Sequence, residues 1–289
     1  MPLGDSITRG VGSANDSLGY RKELRQALAD HTDSLDFVGS LKHGDGTFDG
    51  DHEGHSGWRI DELTDNAGYP EGDLDTWLPA AKPNVITLMA GTNDLNRGAP
   101  TTPQGARDRM DTLLGKIHAM SPDTTVVLGS IPPTDPATRW GRFQSLFDAY
   151  NKLLPPLVDS WQSKGMKIRF ADMSAVNTND MKGGDGLHPT PSGYTKIADA
   201  FYEGVAAAAA DGWITENIEV KPAPHSAGVL GDGQVDINGD GKADYLVLEE
   251  QRCGQGVVEQ GDRCQGRRGL GRAGSGRRGC GSGGEGAFC

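Results

Sequence analysis

Two short runs at opposite ends of residues 1 to 190 hold side chains that could together cleave an acyl bond: Gly4-Asp5-Ser6-Ile7-Thr8 and Asp185-Gly186-Leu187-His188-Pro189. A serine hydroxyl is a poor nucleophile at neutral pH. It needs an imidazole to take its proton and a carboxylate to fix that imidazole's tautomer and charge. An Asp three residues before a His, in a loop bounded by Gly and Pro, can turn back to accept from Nδ1 and leave Nε2 facing the serine. The oxyanion of an acyl transfer also needs donors. Gly91-Thr92-Asn93-Asp94 follows the apolar run Val85-Ile86-Thr87-Leu88-Met89-Ala90, so Asn93 is expected at the carboxyl end of a buried strand with its amide free to donate. Ser56-Gly57-Trp58 is a second small-residue turn, and its Gly57 N–H could donate too.

With these residues in view, roughly residues 1 to 210 resemble the SGNH (GDSL-type) hydrolases, whose four blocks centre in order on a Ser, a Gly, an Asn and a His. The resemblance implies Ser6 as nucleophile, His188 as general base and Asp185 as its orienter. It implies an oxyanion hole made by the Ser6 N–H, the Gly57 N–H and the Asn93 side chain. The stretch from Phe37-Val38-Gly39-Ser40 through Asp51-His52-Glu53-Gly54-His55-Ser56-Gly57-Trp58 is similar, more narrowly, to carbohydrate esterase family 3, whose members include acetyl xylan esterases.

Each motif has a plainer reading. Ser6 could be only a helix N-cap. Asn93 and Asp94 could close a turn after the strand, and for Asp94 that structural role is preferred. Trp58 is expected to pack or to line the substrate. The cluster Asp51-His52-Glu53-Gly54-His55 invites zinc, but its histidines are three apart, and Gly54 argues against the helix that an H-E-x-x-H site requires. His31, His43, His118 and His225 lack matching partners. No G-x-S-x-G occurs, which argues against an α/β-hydrolase fold.

The elements that must position these groups follow from alternating patterns. Leu35-Asp36-Phe37-Val38, Val85 to Met89, Val126 to Ile131 and Ile168-Arg169-Phe170-Ala171 read as strands. Tyr20 to Leu28, Ala106 to Met120, Phe143 to Trp161 and Ser192 to Ala210 read as helices, with a kink or break at Pro155-Pro156. With the segment before Ser6, the pattern predicts a five-stranded, doubly wound parallel sheet in an αβα sandwich, flavodoxin-like as the resemblance implies. The candidate residues all fall past strand ends, where open α/β sheets bind ligands. Met1-Pro2-Leu3 leaves little strand beneath Ser6, so the first strand is expected to be truncated, with any signal peptide upstream.

After Ala210 the pattern changes. Residues 211–228 read as a linker, and Asp236-Ile237-Asn238-Gly239-Asp240-Gly241-Lys242-Ala243-Asp244 places oxygen side chains at alternate positions, as a hard cation such as Ca²⁺ requires. The twelfth position is Val247, which argues against an EF-hand. With Tyr245-Leu246-Val247-Leu248 the loop resembles part of an FG-GAP (VCBS-type) repeat of a β-propeller, residues 229–250. That resemblance makes Asp236, Asn238, Asp240, Asp244 and the Lys242 carbonyl the calcium ligands. Residues 251–289 are rich in Gly and Arg and hold all four cysteines (Cys253, Cys264, Cys280, Cys289). A flexible tail, a disulfide-bearing tail and a frameshift all fit; the frameshift is preferred, with the tail disordered.

A formal charge of −12 over 289 residues disfavours nucleic acid and anionic membrane surfaces as partners. No run approaches the roughly 20 apolar residues of a membrane span. The expectation is a monomeric, secreted serine esterase that needs no cofactor for catalysis and removes acetyl groups from a carbohydrate such as acetylated xylan. The competing readings are a lysophospholipase, thioesterase or arylesterase for longer acyl chains, and an inert truncated domain beside a calcium-dependent binding module.

Overall fold

The computed structural model describes residues 1–12, 18–32, 34–66, 70–97, 101–182, 184–222, 228–230 and 234–236. Apolar runs that can be covered on both faces form the middle of its main sheet, as parallel pairing requires. β1 (Pro2–Gly4), β4 (Val85–Met89), β5 (Thr125–Gly129) and β6 (Ile168–Ala171) lie side by side in parallel. On the other side of β1 runs β3 (Asp51–Gly54), also parallel, and β2 (Leu41–Lys42) closes that edge antiparallel to β3. The order is β2-β3-β1-β4-β5-β6. Five parallel strands are present as expected, and a sixth, antiparallel edge strand is added. Although β1 has three residues, it is central: Leu3 pairs with Glu53 on one side and Leu88 on the other.

One expected strand is corrected. Leu35 to Val38 is not in the sheet, because Phe37 N–H donates to the Asp49 carboxylate at 2.5 Å and Ser40 N–H to Glu53. These donors go to side chains instead of a ladder. The strand of this region is β3, whose Asp-His-Glu-Gly sequence has no apolar signal. It is buried all the same because its polar atoms find partners: His52 Nδ1 accepts Gly54 N–H at 2.8 Å, and Glu53 accepts from the Ser40 hydroxyl at 2.9 Å.

The helices α2 (Arg21–Ala29), α6 (Pro103–Met120) and α9 (Pro191–Ala210) fall where the periodicity places them. Thr102 and Thr190 cap α6 and α9 through the N–H groups of Gly105 and Gly193, and Pro103 and Pro191 occupy the first helical positions. The single helix expected over Phe143 to Trp161 is instead α7 (Gln144–Asn151) and α8 (Leu154–Ser163). Pro155 and Pro156 lack the N–H groups that would continue the ladder of α7, and they sit in the first turn of α8, where none is needed. The shorter α1 (Ser6–Arg9), α3 (Ile60–Thr64), α4 (Leu74–Ala81) and α5 (Thr92–Asn96) complete the unit, three of them too brief for apolar periodicity to register.

Helix α9 packs on α2 and lies over β5 and β6. A Cβ at Gly204 would come within 2.4 Å of Val127 Cγ1, so that contact requires glycine. Helix α6 packs with α3, α4, α7 and α8 in the second helical layer. Past α9, Asn84 Nδ2 donates to the carbonyls of Thr215 and Glu216, Lys221 N–H donates to Met120 O at 2.7 Å, and Ile214 and Val220 pack against the core.

The chain divides into two units, Met1–Pro224 and His225–Cys289. In the second, β7 (Gly228–Leu230) pairs antiparallel with β8 (Gln234–Asp236), Val229 opposite Val235. The rest of the expected 229–250 repeat lies outside the described residues, as do His225 and the 251–289 tail with its cysteines. Among the described residues no helix is long and apolar enough to cross a membrane.

Candidate active site

Strand β1 ends at Gly4, and Asp5 caps α1 by accepting Ile7 N–H at 2.9 Å. Ser6 is therefore not the cap but the first residue of the helix, where its own N–H is an orphan donor. Its hydroxyl lies 2.9 Å from His188 Nε2. On the far side of the ring, His188 Nδ1 is 2.8 Å from Asp185 Oδ2. Asp185 Oδ1 accepts the N–H groups of Leu187 and His188, both at 2.9 Å, which fixes the turn itself. Burial works against the Asp185 charge, but those N–H groups and the His188 ring outweigh it and hold the carboxyl below its ordinary range. An ionised Asp185 assigns the ring hydrogen to Nδ1 and leaves Nε2 to accept from Ser6. Gly186 has φ +81°, and a Cβ there would meet Thr138 Cγ2 at 2.4 Å, so both backbone and space call for glycine.

The remaining candidates lie on two segments tied to one another. Gly57 has φ +83° in a turn closed by Trp58 N–H donating to His55 O at 3.2 Å. Asn93, at the start of α5, donates from Nδ2 to Trp58 O at 2.8 Å. An amide carries two donor hydrogens, so one fixes the Asn93 side chain and one remains for a ligand. Arg97 donates to Gly57 O at 2.6 Å and pairs with Glu62 at 3.0 Å. Asp94 does more than close a turn: its buried carboxylate accepts Ile60 N–H at 3.0 Å and pairs with Arg109 at 2.7 Å. Burial raises the Asp94 pKa, with Arg109 and the Ile60 N–H opposing it.

Trp58 is half-buried and stacks on His55 at 4.3 Å, and His55 stacks in turn on Trp77 at 4.5 Å. His55 Nε2 meets Glu53 at 3.0 Å. The neighbouring His52 is driven to a pKa of about 2, first by burial and then by Arg21, His43, His55 and Arg9 nearby. Among the described residues no group of three or more His, Cys, Asp or Glu is disposed to hold a metal. Of the expected calcium ligands, Asp236 ends β8 and only its backbone is described; Asn238, Asp240, Lys242 and Asp244 lie outside the described residues.

The structure thus joins Ser6, His188 and Asp185 in one line and links Asn93 to the turn that carries Gly57. A groove of about 570 Å³ lies elsewhere, lined by Ser130, Ile131, Asn151, Asp172 and Met173 among others, and none of the candidate residues borders it. Three supporting residues escape sequence reasoning. Asp5 is fully buried beside Ser6, with its pKa raised to about 6, chiefly by desolvation; a capping residue in a turn gives no sign of that burial. Arg97 and Arg109 act across 40 and 15 residues of chain, and no local pattern reports such partners.

Comparison with known proteins shows the family of the chain. Residues 3–196 match the GDSL-like lipase/acylhydrolase family, a family of carboxylic ester hydrolases, and the chain belongs to it. Over 220 residues it is 30% identical to a multidomain esterase of Ruminococcus flavefaciens, covering 70% of this chain but only 28% of that protein. Among solved structures it is similar to a family 3 carbohydrate esterase of Clostridium thermocellum, at 31% identity and TM-score 0.59, covering 73% of this chain and 96% of that one. It is also similar to a carbohydrate esterase family 3 protein of Talaromyces cellulolyticus, at 25% identity and TM-score 0.61, covering 73% and 97%.

Proposed function

We propose that this chain is a serine esterase that removes acetyl groups from a carbohydrate, with Ser6, His188 and Asp185 as its catalytic triad. The observation that carries the proposal is the continuous line from Ser6 Oγ through the His188 ring to Asp185, 2.9 Å and 2.8 Å long at its two bonds. Similarity to two family 3 carbohydrate esterases supports the substrate class.

In the proposed reaction Ser6 Oγ attacks the ester carbonyl carbon as its proton passes to His188 Nε2. Asp185 steadies the imidazolium. The oxyanion is held by the Ser6 N–H, the Gly57 N–H and the free hydrogen of the Asn93 amide. As the tetrahedral species collapses, His188 gives the proton to the departing sugar oxygen, leaving acetyl on Ser6. Water, deprotonated by the same imidazole, then releases acetate and restores the hydroxyl. Every proton is returned, and apart from the ester and one water the cycle uses only groups of the chain.

Acetate release from acetylated xylan, run beside 4-nitrophenyl acetate and octanoate with Ser6→Ala as control, tests this. Release that depends on Ser6, with acetyl strongly preferred, is expected. Preference for octanoate would move the substrate to a longer acyl ester, and inactivity on all three would favour an inert domain.

The proposal places the catalytic domain in residues 1–210, a connector in 211–228 and a calcium-holding repeat in 229–250, on a secreted protein. The alternating oxygen ligands from Asp236 to Asp244 support the calcium loop, which takes no part in the chemistry. Calorimetric titration with CaCl₂ is expected to show binding that Asp240→Ala removes; no binding by the intact chain rejects it.

A further inference from the structure

The segment 134–143 forms a wall beside the Asp185 to His188 loop, and the ester chemistry does not use the groups it carries. Asp135 N–H donates to Gly186 O at 2.8 Å, and Thr138 fills the space over Gly186. Thr138 Oγ1 also accepts Trp140 N–H at 3.3 Å, capping a 3₁₀ turn, Arg139–Phe143. That turn packs against α5, the helix that carries Asn93. It therefore stands between the loop of the proposed base and one of the proposed oxyanion donors.

The turn's side chains stack in two cation–aromatic pairs. The Arg139 guanidinium lies 4.2 Å from the Trp140 ring centre and Arg142 lies 4.6 Å from that of Phe143, with the two rings 6.3 Å apart. Both rings are half-exposed and both arginines exposed. Arg59, Arg97, Arg107, Arg109 and Arg169 each pair with a carboxylate, and Arg9, Arg21 and Arg25 donate to hydroxyl, imidazole or backbone carbonyl groups, whereas among the described residues Arg139 and Arg142 have neither kind of partner for their guanidinium groups. The indole N–H groups of Trp77 and Trp161 donate to Glu71 O and Asp111, whereas those of Trp140, Trp58 and Trp213 have no protein partner among the described residues.

On a chain of net charge −12, an anionic polymer is repelled at long range. Two guanidinium groups with no carboxylate partner among the described residues, on the segment that touches the Asp185 to His188 loop, reverse that locally, and their planar fork matches a carboxylate. The Trp140 and Phe143 rings pack partly against the core and carry the two guanidinium groups over their faces, which holds both cations in place, and the Trp140 N–H offers a donor to a hydroxyl. From this juxtaposition we infer that Arg139, Trp140, Arg142 and Phe143 form a subsite for a uronic-acid residue, so that the carbohydrate this chain deacetylates bears a carboxylate near its ester. The inference rests on the proposed carbohydrate deacetylation.

The test measures kcat/KM for acetate release from acetylated glucuronoxylan and from an acetylated arabinoxylan free of uronate, taking the ratio on each enzyme preparation. A ratio within one preparation does not depend on how much of it is folded. The intact chain is expected to favour the uronate polymer about tenfold, mostly through KM, and less in 0.5 M NaCl. Arg139→Gln with Arg142→Gln brings the ratio close to one, and reversal of both to Glu brings it below one. Equal rates of the intact chain on the two polymers, or a preference that survives the substitutions, overturns the subsite and leaves the esterase reading standing. Absence of acetate release from either polymer, with 4-nitrophenyl octanoate hydrolysed, overturns both.

Discussion

The two walls of the candidate site are built to opposite rules. Residues 57–62 and 93–97 are cross-braced by side chains: Asn93 to Trp58 O, Asp94 to Ile60 N–H and Arg97 to Gly57 O, with Arg109 bridging Asp94 and Asp61. Residues 134–143 and 185–188 are joined by the Asp135 N–H to Gly186 O bond and the fit of Thr138 over Gly186. The Asp94 side chain is 0% exposed and that of Asp185 48%. The difference follows from the task proposed for each. Donors to a charge that exists only in the transition state help most when fixed beforehand, so that no reorganisation is needed as it forms. A proton carrier needs one bond held well and access to water for the second half of the cycle.

From that contrast, the largest loss among the following substitutions is expected on the braced wall. Asn93→Ala is expected to lower kcat by about 10² to 10³-fold with little change in KM, because the interaction is stronger in the transition state. A rise in KM alone would make Asn93 a ground-state contact. Asp185→Asn, on the open wall, is expected to cost about 10²-fold in kcat, less than the fall of about 10⁴ for a buried orienter, since water reaches this carboxyl. Equal or greater loss than in the buried case would mean that the wall closes over substrate. Asp94→Asn touches no substrate in this account and is expected to lower kcat about tenfold by loosening Ile60 and the 57–62 turn. An unchanged kcat would show that the brace serves folding only.

The smallest effect on activity is expected at Asp5, and it separates stability from chemistry. Its carboxyl is raised from 3.8 to about 6, chiefly by desolvation, with the Ile7 N–H, His188 and Thr92 opposing. A raised acid binds its proton more tightly folded than unfolded, so its contribution to stability falls as pH rises from about 4 to about 6 and stays lost above. The difference corresponds to about 3 kcal/mol. Asp5→Asn retains an oxygen for the Ile7 cap and removes the charge. Its melting temperature is expected to exceed that of the parent at pH 8 and to match it near pH 4, with a few-fold lower kcat because a charge near His188 is gone. Parallel melting curves across that pH range would contradict the assignment.

Sequence reading reached the candidate residues whose arrangement is local in the chain. Asp185 and His188 are three residues apart in a loop, Asn93 follows an unbroken apolar strand, and Ser6 follows Gly4 at the end of β1. Spacing alone carries such geometry. It misjudged β3 because Asp51-His52-Glu53-Gly54 is buried through specific polar partners, whereas Leu35-Asp36-Phe37-Val38 has the composition of a strand but gives its Phe37 N–H to the Asp49 carboxylate. The break in the third long helix falls at Lys152-Leu153, before the prolines that cause it, because proline is tolerated in the first turn that follows. Asp94, Arg97 and Arg109 could not be assigned in advance, since their partners are distant in sequence. Trp140 and its arginines look like ordinary surface residues until the fold sets Thr138, which caps their turn, against Gly186.

The central claim is that Ser6 is the acylated nucleophile. The most direct measurement is to treat the chain with a fluorophosphonate, digest it and locate the phosphonyl adduct by mass spectrometry, in the parent and in His188→Ala. A single adduct on the peptide containing Ser6, formed in step with loss of esterase activity and greatly slowed in His188→Ala, is the expected result. Loss of activity with the adduct on another residue, or an active enzyme fully modified at Ser6, would contradict it.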